Sequence, residues 1–597
     1  MSCGGHGKAC CPACSGDRVR QVNTGREHHS TRHPAFLWAW RLLRLDFTGI
    51  AFAALFFCLS LTPSLLPRDW LFAGLIGGIN AAIGYGIGVF VVKMIRRFVL
   101  AGRGWRSPPP RLVATLKVLT VVVALSACVL MMIPAAAWQR QVSSLMGMDG
   151  PNTLGYLRTL VVAAAVGAVC VAGARVLLDI IKTMARYFIR RWHLSDEVAL
   201  FIGTAIVVVL VISLVNGVLL RGFLAGANRI FQPQNTTTAA GVVQPLSAER
   251  SGSPESFASW ETLGYQGRSF VAGGPDAEEL SRLNGRPAEE PVRVYVGLQT
   301  AETDEARMAV LLGELARTGA FEREVHVIVP TTGTGWINPT AAAAIEMMYN
   351  GDTAIVGSQY SYLPSWISFL AHQQKSMEAG RMMVDAIHDR WVELPPDERP
   401  ELLLYGESLG SMAGQGAFDW LPDISRMGFS SVLWVGPPNA SPLWHGLTVR
   451  RDPGTPEVEP RYDDGRTVRF SQGNDAAEIA ADTAAPWDGT RVLFLQHASD
   501  PIVWWSQDLL FTRPDWLSEP PGRDRTASMR WYPIVTFWQV AADLTNAVSV
   551  PGGHGHNYGD FILDGWVGVA APPGWSRSDT ERIRAALIEP GDEEASQ

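Results

Sequence analysis

The sequence predicts an α-helical membrane domain of about five spans followed by a doubly wound, mostly parallel α/β domain with flanking helices. Three observations lead there. Long uncharged apolar runs are confined to the chain before about Leu220, short β-branched runs alternate with helical stretches from Val292 onward, and one of those runs ends in Gly-x-Ser-x-Gly at Gly406 to Gly410. A chain of 597 residues also exceeds what one hydrophobic core usually holds.

Residues 1–46 are polar and basic and are expected as a disordered cytoplasmic tail. Cys10, Cys11 and Cys14, with His6, His28 and His29 nearby, resemble a set of metal ligands, but this Gly- and Arg-rich stretch offers no core to hold them, so no metal is expected. All seven cysteines lie in the first third of the chain, which leaves the C-terminal half without disulfides. A formal net charge of −7 provides no basic excess, and nucleic acid is excluded as a partner.

Residues 47–231 hold five apolar runs, starting near Phe47, Trp70, Val113, Leu160 and Val198, each read as crossing a bilayer core of about 30 Å. The lipid bilayer is the partner they imply. Gly74, Gly77, Gly78, Gly84, Gly86 and Gly88 crowd the second run, where small residues let helices approach closely. Pro63, Pro67 and Pro134 fall near expected span ends. Basic residues alternate between connections. Six arginines from Arg18 to Arg44 precede the first run, and Lys93 to Arg111 and Lys182 to Arg191 carry the second and fourth connections, whereas the first and third hold one arginine each. That bias keeps the N-terminus cytoplasmic, and five spans then put the remainder outside the cytoplasm. Few ionisable residues lie within the runs, so they read as an anchor rather than as a transport path.

Residues 232–268, rich in Gln, Thr, Ser, Gly and Pro, read as a linker, and 571–597 as a C-terminal tail. Between them, over 269–570, strands are expected at Val292–Leu298, Val325–Pro330, Thr353–Gly357, Leu402–Tyr405, Arg491–Gln496 and Ala547–Val550, with helices between them. This alternation predicts a parallel sheet covered on both faces. The stretch from Ser441 to Gly489 interrupts it and is expected as a lid or docking insertion. Tryptophans crowd the same region, as core or as the lining of an acyl pocket.

At Leu402 to Gly414 a buried strand runs through Gly406-Glu407-Ser408-Leu409-Gly410 into small residues that start a helix. The two glycines remove side chains that would clash in a turn tight enough to lift Ser408 Oγ clear of the backbone. Asp500 follows the strand at Arg491–Gln496, and Gly553-His554-Gly555-His556 follows the expected last strand, so nucleophile, acid and histidine come in that order. Asp508, Asp475 and Asp482 are less well placed. His554 is favoured as the base, with His556 the alternative.

These motifs resemble the triad elements of the α/β-hydrolase superfamily, and together with the helical N-terminal half the chain is similar to a family of bacterial membrane-anchored α/β-hydrolases. The resemblance covers roughly Phe47 to Trp566. It implies an α/β-hydrolase fold and hydrolysis, and no substrate. The leading expectation is a serine hydrolase at the bacterial cell membrane that cleaves or transfers acyl groups of lipid-like or envelope-derived esters without a cofactor. Ser408 would be the nucleophile, Asp500 the residue that orients the base, and the N–H of Leu409 with that of Thr332 or Gly333 the oxyanion hole. Thioesterase, peptidase or acyltransferase chemistry uses the same groups. A membrane transport or scaffold protein carrying an inactive hydrolase-like domain is the alternative from another class. The oligomeric state is not legible.

Overall fold

A computed structural model describes residues 46–99, 109–371, 373–473 and 486–587. The basic tail over 1–45 and its cysteines, together with Asp475 and Asp482, lie outside them.

The N-terminal region is helical: α1 (Phe47–Ser60), α2 (Trp70–Met94), α3 (Pro110–Leu145), α4 (Arg158–Trp192), α5 (Asp196–Ile212) and α6 (Leu220–Asn235). Four helical stretches, Trp70–Val99, Pro110–Leu145, Thr153–Trp192 and Asp196–Val215, are long and apolar enough to cross a membrane. The first of the five expected spans is shorter than predicted. As 14 residues α1 reaches only about 21 Å, because Asp46 caps its first turn and the chain turns after Ser60 into a buried, non-helical connection. Pro134, expected near a span end, lies inside the 36-residue α3.

The glycines of α2 explain its two close neighbours. A Cβ on Gly74 or Gly78 would lie 2.6 Å from Cβ of Val162 or Val166 in α4, and one on Gly84 would lie 2.6 Å from the Phe52 carbonyl in α1. The helix therefore packs backbone to backbone on both sides.

The C-terminal region contains a seven-stranded sheet, parallel throughout, in the order β1-β3-β2-β4-β5-β7-β6. Its strands are β1 (Val292–Val296), β2 (Val325–Pro330), β3 (Thr353–Ser358), β4 (Glu401–Glu407), β5 (Phe429–Val435), β6 (Val468–Ser471) and β7 (Arg491–Leu495). Val292 to Val296 and Val325 to Pro330 are buried along their whole length, as helices on both faces require. Because the strands are parallel, all their carboxyl ends share one edge of the sheet, where Ser408 sits.

Four further expectations differ from the structure. Within the stretch expected as a C-terminal tail, Arg577–Leu587 is a helix whose Ile583 is fully buried in the core. The stretch read as a linker over 232–268 is built into the domain. Its Arg250 and Ser251 are buried, Arg293 N donates to Glu249 O at 3.1 Å and Ser251 N to Arg293 O at 3.0 Å. Its polar residues are satisfied internally, Ser251 Oγ by Glu314 for instance, so no apolar period marks it. The described part of the insertion from Ser441 to Gly489, expected as a lid or docking insertion, supplies β6, which extends the sheet beyond β7. Finally, Ala547 to Val550 forms a turn and not a strand. It follows helix α7 (Val535–Asp543) after one 3-10 turn, Leu544–Asn546, and its Ala547 carbonyl is used by the histidine loop.

Candidate active site

Ser408 follows β4 with φ of 56° and ψ of −125°, a left-handed conformation that costs an ordinary residue about 1–3 kcal/mol. Its N–H donates to the Val435 carbonyl of β5 at 2.8 Å, and the helix Leu409–Gln415 begins at once. Both flanking glycines are sterically required. A Cβ on Gly406 would lie 2.7 Å from the Gly410 carbonyl, and one on Gly410 would lie 2.5 Å from the Pro330 carbonyl. Ser408 itself is half-buried and so open to a reactant.

The same contact brings the end of β2 against the start of this helix, since Thr331 C stands 3.4 Å from that Gly410 Cβ position. The next amide belongs to Thr332, which is buried. Gly333 faces elsewhere: a Cβ there would meet Ser368 Oγ at 2.6 Å and the Leu363 carbonyl at 2.7 Å. Of the two sequence candidates, Thr332 is the one bonded directly to Thr331, whose carbonyl carbon makes that approach to Gly410.

Asp500 follows β7 and is fully buried. Its Oδ1 accepts from Ile502 N at 2.8 Å, and its Oδ2 accepts from His556 Nδ1 at 2.6 Å and from the Tyr558 hydroxyl at 2.8 Å. The preferred sequence candidate is not the residue Asp500 holds. His554 points to Asp524, Nδ1 to Oδ2 at 3.4 Å, and is a quarter exposed. Both histidines adjoin Gly555 and the flanking glycines favour His554 in sequence, but the loop turns His556 toward Asp500 and His554 toward Asp524.

His556 is 6 % exposed, and its Nε2 is buried without a hydrogen-bond partner. Its ring lies against Gly436, where a Cβ would meet Cε1 at 2.5 Å, and Gly436 follows the residue whose carbonyl holds Ser408 N. Burial alone would depress the imidazole pKa, but the Asp500 charge, its hydrogen bond and the Glu407 charge outweigh it and hold His556 above the ordinary value of 6.5. Tyr558 is pushed well above its usual range by burial and by Asp500, so it remains a donor.

Two contributors were not singled out from sequence. Glu407, beside Ser408, is buried and accepts from Tyr405 OH at 2.7 Å and from Asn338 Nδ2 at 2.8 Å; burial raises its pKa. His497 stacks on Tyr558 with ring centroids 4.1 Å apart, and its Nδ1 meets the Gly555 carbonyl at 2.9 Å. Glu407 occupies a position that the Gly-x-Ser-x-Gly pattern leaves open, and His497 lies three residues before Asp500; their roles show only in the three-dimensional packing.

An apolar cluster of Tyr360, Phe369, Leu409 and Met412 adjoins Ser408, with Trp505 packed on it. Residues 292–583 match a family model described as the alpha/beta-hydrolase family, and residues 61–275 match one described as the N-terminus of the alpha/beta-hydrolase family. No curated protein and no solved structure matches the chain.

Proposed function

The chain belongs to the alpha/beta-hydrolase family, and from that premise we propose that it is a membrane-bound serine hydrolase that cleaves, or transfers, acyl groups of lipid-like esters. The observation that carries the reading is the pair formed by His556 and Asp500, with the imidazole Nε2 left unpartnered beside the strained turn that bears Ser408.

In this mechanism Ser408 Oγ attacks the ester carbonyl and gives its proton to Nε2 of His556. Asp500 accepts from Nδ1, fixing the tautomer and stabilising the imidazolium as it forms. The N–H groups of Leu409 and Thr332 receive the carbonyl oxygen as it becomes negative. Collapse expels the alcohol, which takes the proton from Nε2 and leaves an acyl-Ser408. Water, or another acceptor for a transfer reaction, then gives its proton to Nε2 of His556 as its oxygen bonds the acyl carbon, and Nε2 returns that proton to Ser408 Oγ as the acyl–serine bond breaks.

Two features support a membrane setting. Leu224 and Phe231 of α6 pack against Leu363 and Ile367, in the segment next to the apolar cluster. The helix ends are also charged asymmetrically. The connection before α2 is buried against the C-terminal region, so the far end of α2, with Lys93, Arg96 and Arg97, lies about 37 Å away. Arg97 pairs there with Glu197 at the start of α5, close in sequence to Arg190 and Arg191. Cationic connections remain cytoplasmic, which supports an extracytoplasmic catalytic region.

The test is labelling of the full chain in detergent by a fluorophosphonate. The wild type should be modified and Ser408→Ala should not. A wild type that resists the probe, and leaves p-nitrophenyl esters of every chain length intact, would sink the proposal.

A further inference from the structure

We propose that the connection between α1 and α2, from Leu61 to Arg68, is a working part of the active site, with Leu66 and Asp543 acting as positioning residues for the His556 loop; this rests on the hydrolase reading above. The connection is irregular yet buried, and Leu65 and Leu66 are fully inaccessible. Buried irregular backbone is tolerated only where its polar groups find partners. Here the partners come from α7, 479 residues away in sequence.

Asp543 accepts from Ser64 Oγ, from Leu65 N at 3.0 Å and from Leu66 N at 3.4 Å, and its other oxygen faces Arg68 Nε at 3.4 Å. Gln539, one turn earlier, donates Nε2 to the Ser60 carbonyl at 3.2 Å and the Thr62 carbonyl at 2.9 Å. Gln139 of α3 closes the cradle by accepting from Arg68 N at 2.8 Å. Both α7 residues are fully buried.

From this anchor two short routes lead to the base. Just beyond α7, the Ala547 carbonyl accepts from His556 N at 2.8 Å, so the backbone of the base hangs on the turn that Asp543 fixes. More directly, Leu66 Cδ2 stands 3.3 Å from a Cβ position on Gly555, beside Val550 Cγ2 at 2.7 Å. Gly555 has a φ of 53° and lies between the two histidines. The leucine therefore closes the side of the loop from which His556 would otherwise retreat. Reactions that depend on aligned groups lose rate steeply with sub-ångström misplacement, so loosening this contact should slow chemistry without weakening substrate binding.

The experiment uses the full chain in detergent. Wild type, Leu66→Ala, Leu66→Met, Asp543→Ala and Asp543→Asn are assayed on a p-nitrophenyl ester, with active sites counted by the endpoint of fluorophosphonate labelling. The expected result is a kcat per labelled serine reduced roughly tenfold in Leu66→Ala and Asp543→Ala, with KM unchanged and with recovery in Leu66→Met and Asp543→Asn. A residue that only stabilises the fold would change the labelled fraction and leave kcat per site alone. Equal kcat per site in wild type and the alanine variants overturns the inference. Leu66→Val and Ser64→Ala, read the same way, decide the matter if either alanine variant fails to fold. A wild type inert to the probe overturns the hydrolase reading itself, which is a separate outcome.

Discussion

Nδ1 of His556 lies 2.6 Å from Oδ2 of Asp500, whereas His554, two residues earlier, meets Asp524 at 3.4 Å. The two histidines are therefore expected to differ sharply on replacement. His556→Ala should lower kcat by about 10⁴-fold or more, as removal of a triad member does, while His554→Ala should cost less than about tenfold. Measuring kcat for both variants on one ester decides between them, and the reverse order would reassign the base.

The pH profile follows from the charges around that imidazole. In the proposed mechanism His556 works as a base only when neutral, and Asp500 and Glu407 hold its pKa above 6.5, so activity should rise with pH through that raised value. Glu407→Gln removes one of the two negative charges. The pKa then falls, the neutral form persists to lower pH, and the acid limb of kcat/KM moves downward. An acid limb that stays in place or moves upward in Glu407→Gln would show that Glu407 does not act on His556.

The turn at Ser408 makes a steric prediction. A Cβ on Gly410 would stand 2.5 Å from the Pro330 carbonyl, a backbone atom that cannot swing aside. Gly410→Ala should destabilise the protein by about 1–3 kcal/mol and abolish fluorophosphonate labelling even though Ser408 is intact. Gly173→Ala in α4, where a Cβ meets nothing within 4 Å, is the control and should leave labelling and the unfolding midpoint unchanged. Normal labelling of Gly410→Ala would mean that the turn relaxes more easily than its contacts suggest.

Topology is the fourth expectation. A reporter active only outside the cytoplasm, fused after Gln597, should be active, and a cytoplasmic reporter at the same position should be silent. The reverse pattern would turn the helices over and move the proposed substrate to the cytoplasmic leaflet.

What the sequence revealed divides along local and non-local lines. The Gly-x-Ser-x-Gly turn, the strands at Val292 and Val325 and the position of Asp500 after β7 are written in contiguous residues, because β-branched runs, glycines and strand ends act over a few positions. The choice between His554 and His556 was not legible, since it depends on which way a loop faces a carboxylate more than 50 residues earlier. The turn at Ala547 to Val550 imitates a strand by composition, yet its partners are α7 and the histidine loop rather than another strand. Residues 232–268 lack apolar periodicity because polar groups such as Ser251 and Arg250 are satisfied inside the domain. The first apolar run looked long enough to span, and the helix it forms stops at Ser60, where side chains from the far end of the chain hold the backbone in another conformation.

The hydrogen bonds from Ser64, Leu65 and Leu66 to Asp543 bear on how the protein is made. The acceptor is synthesised 479 residues after Ser64, a delay of roughly 25 to 100 s at ordinary elongation rates. Until then the connection has donors without their acceptor, and a loop of that length must close before the contact forms. The helices before Arg221 should thus be inserted well before their first connection reaches its final shape. Its ordering would be among the last steps of maturation, detectable as a segment cut by protease in nascent chains and resistant in the finished protein.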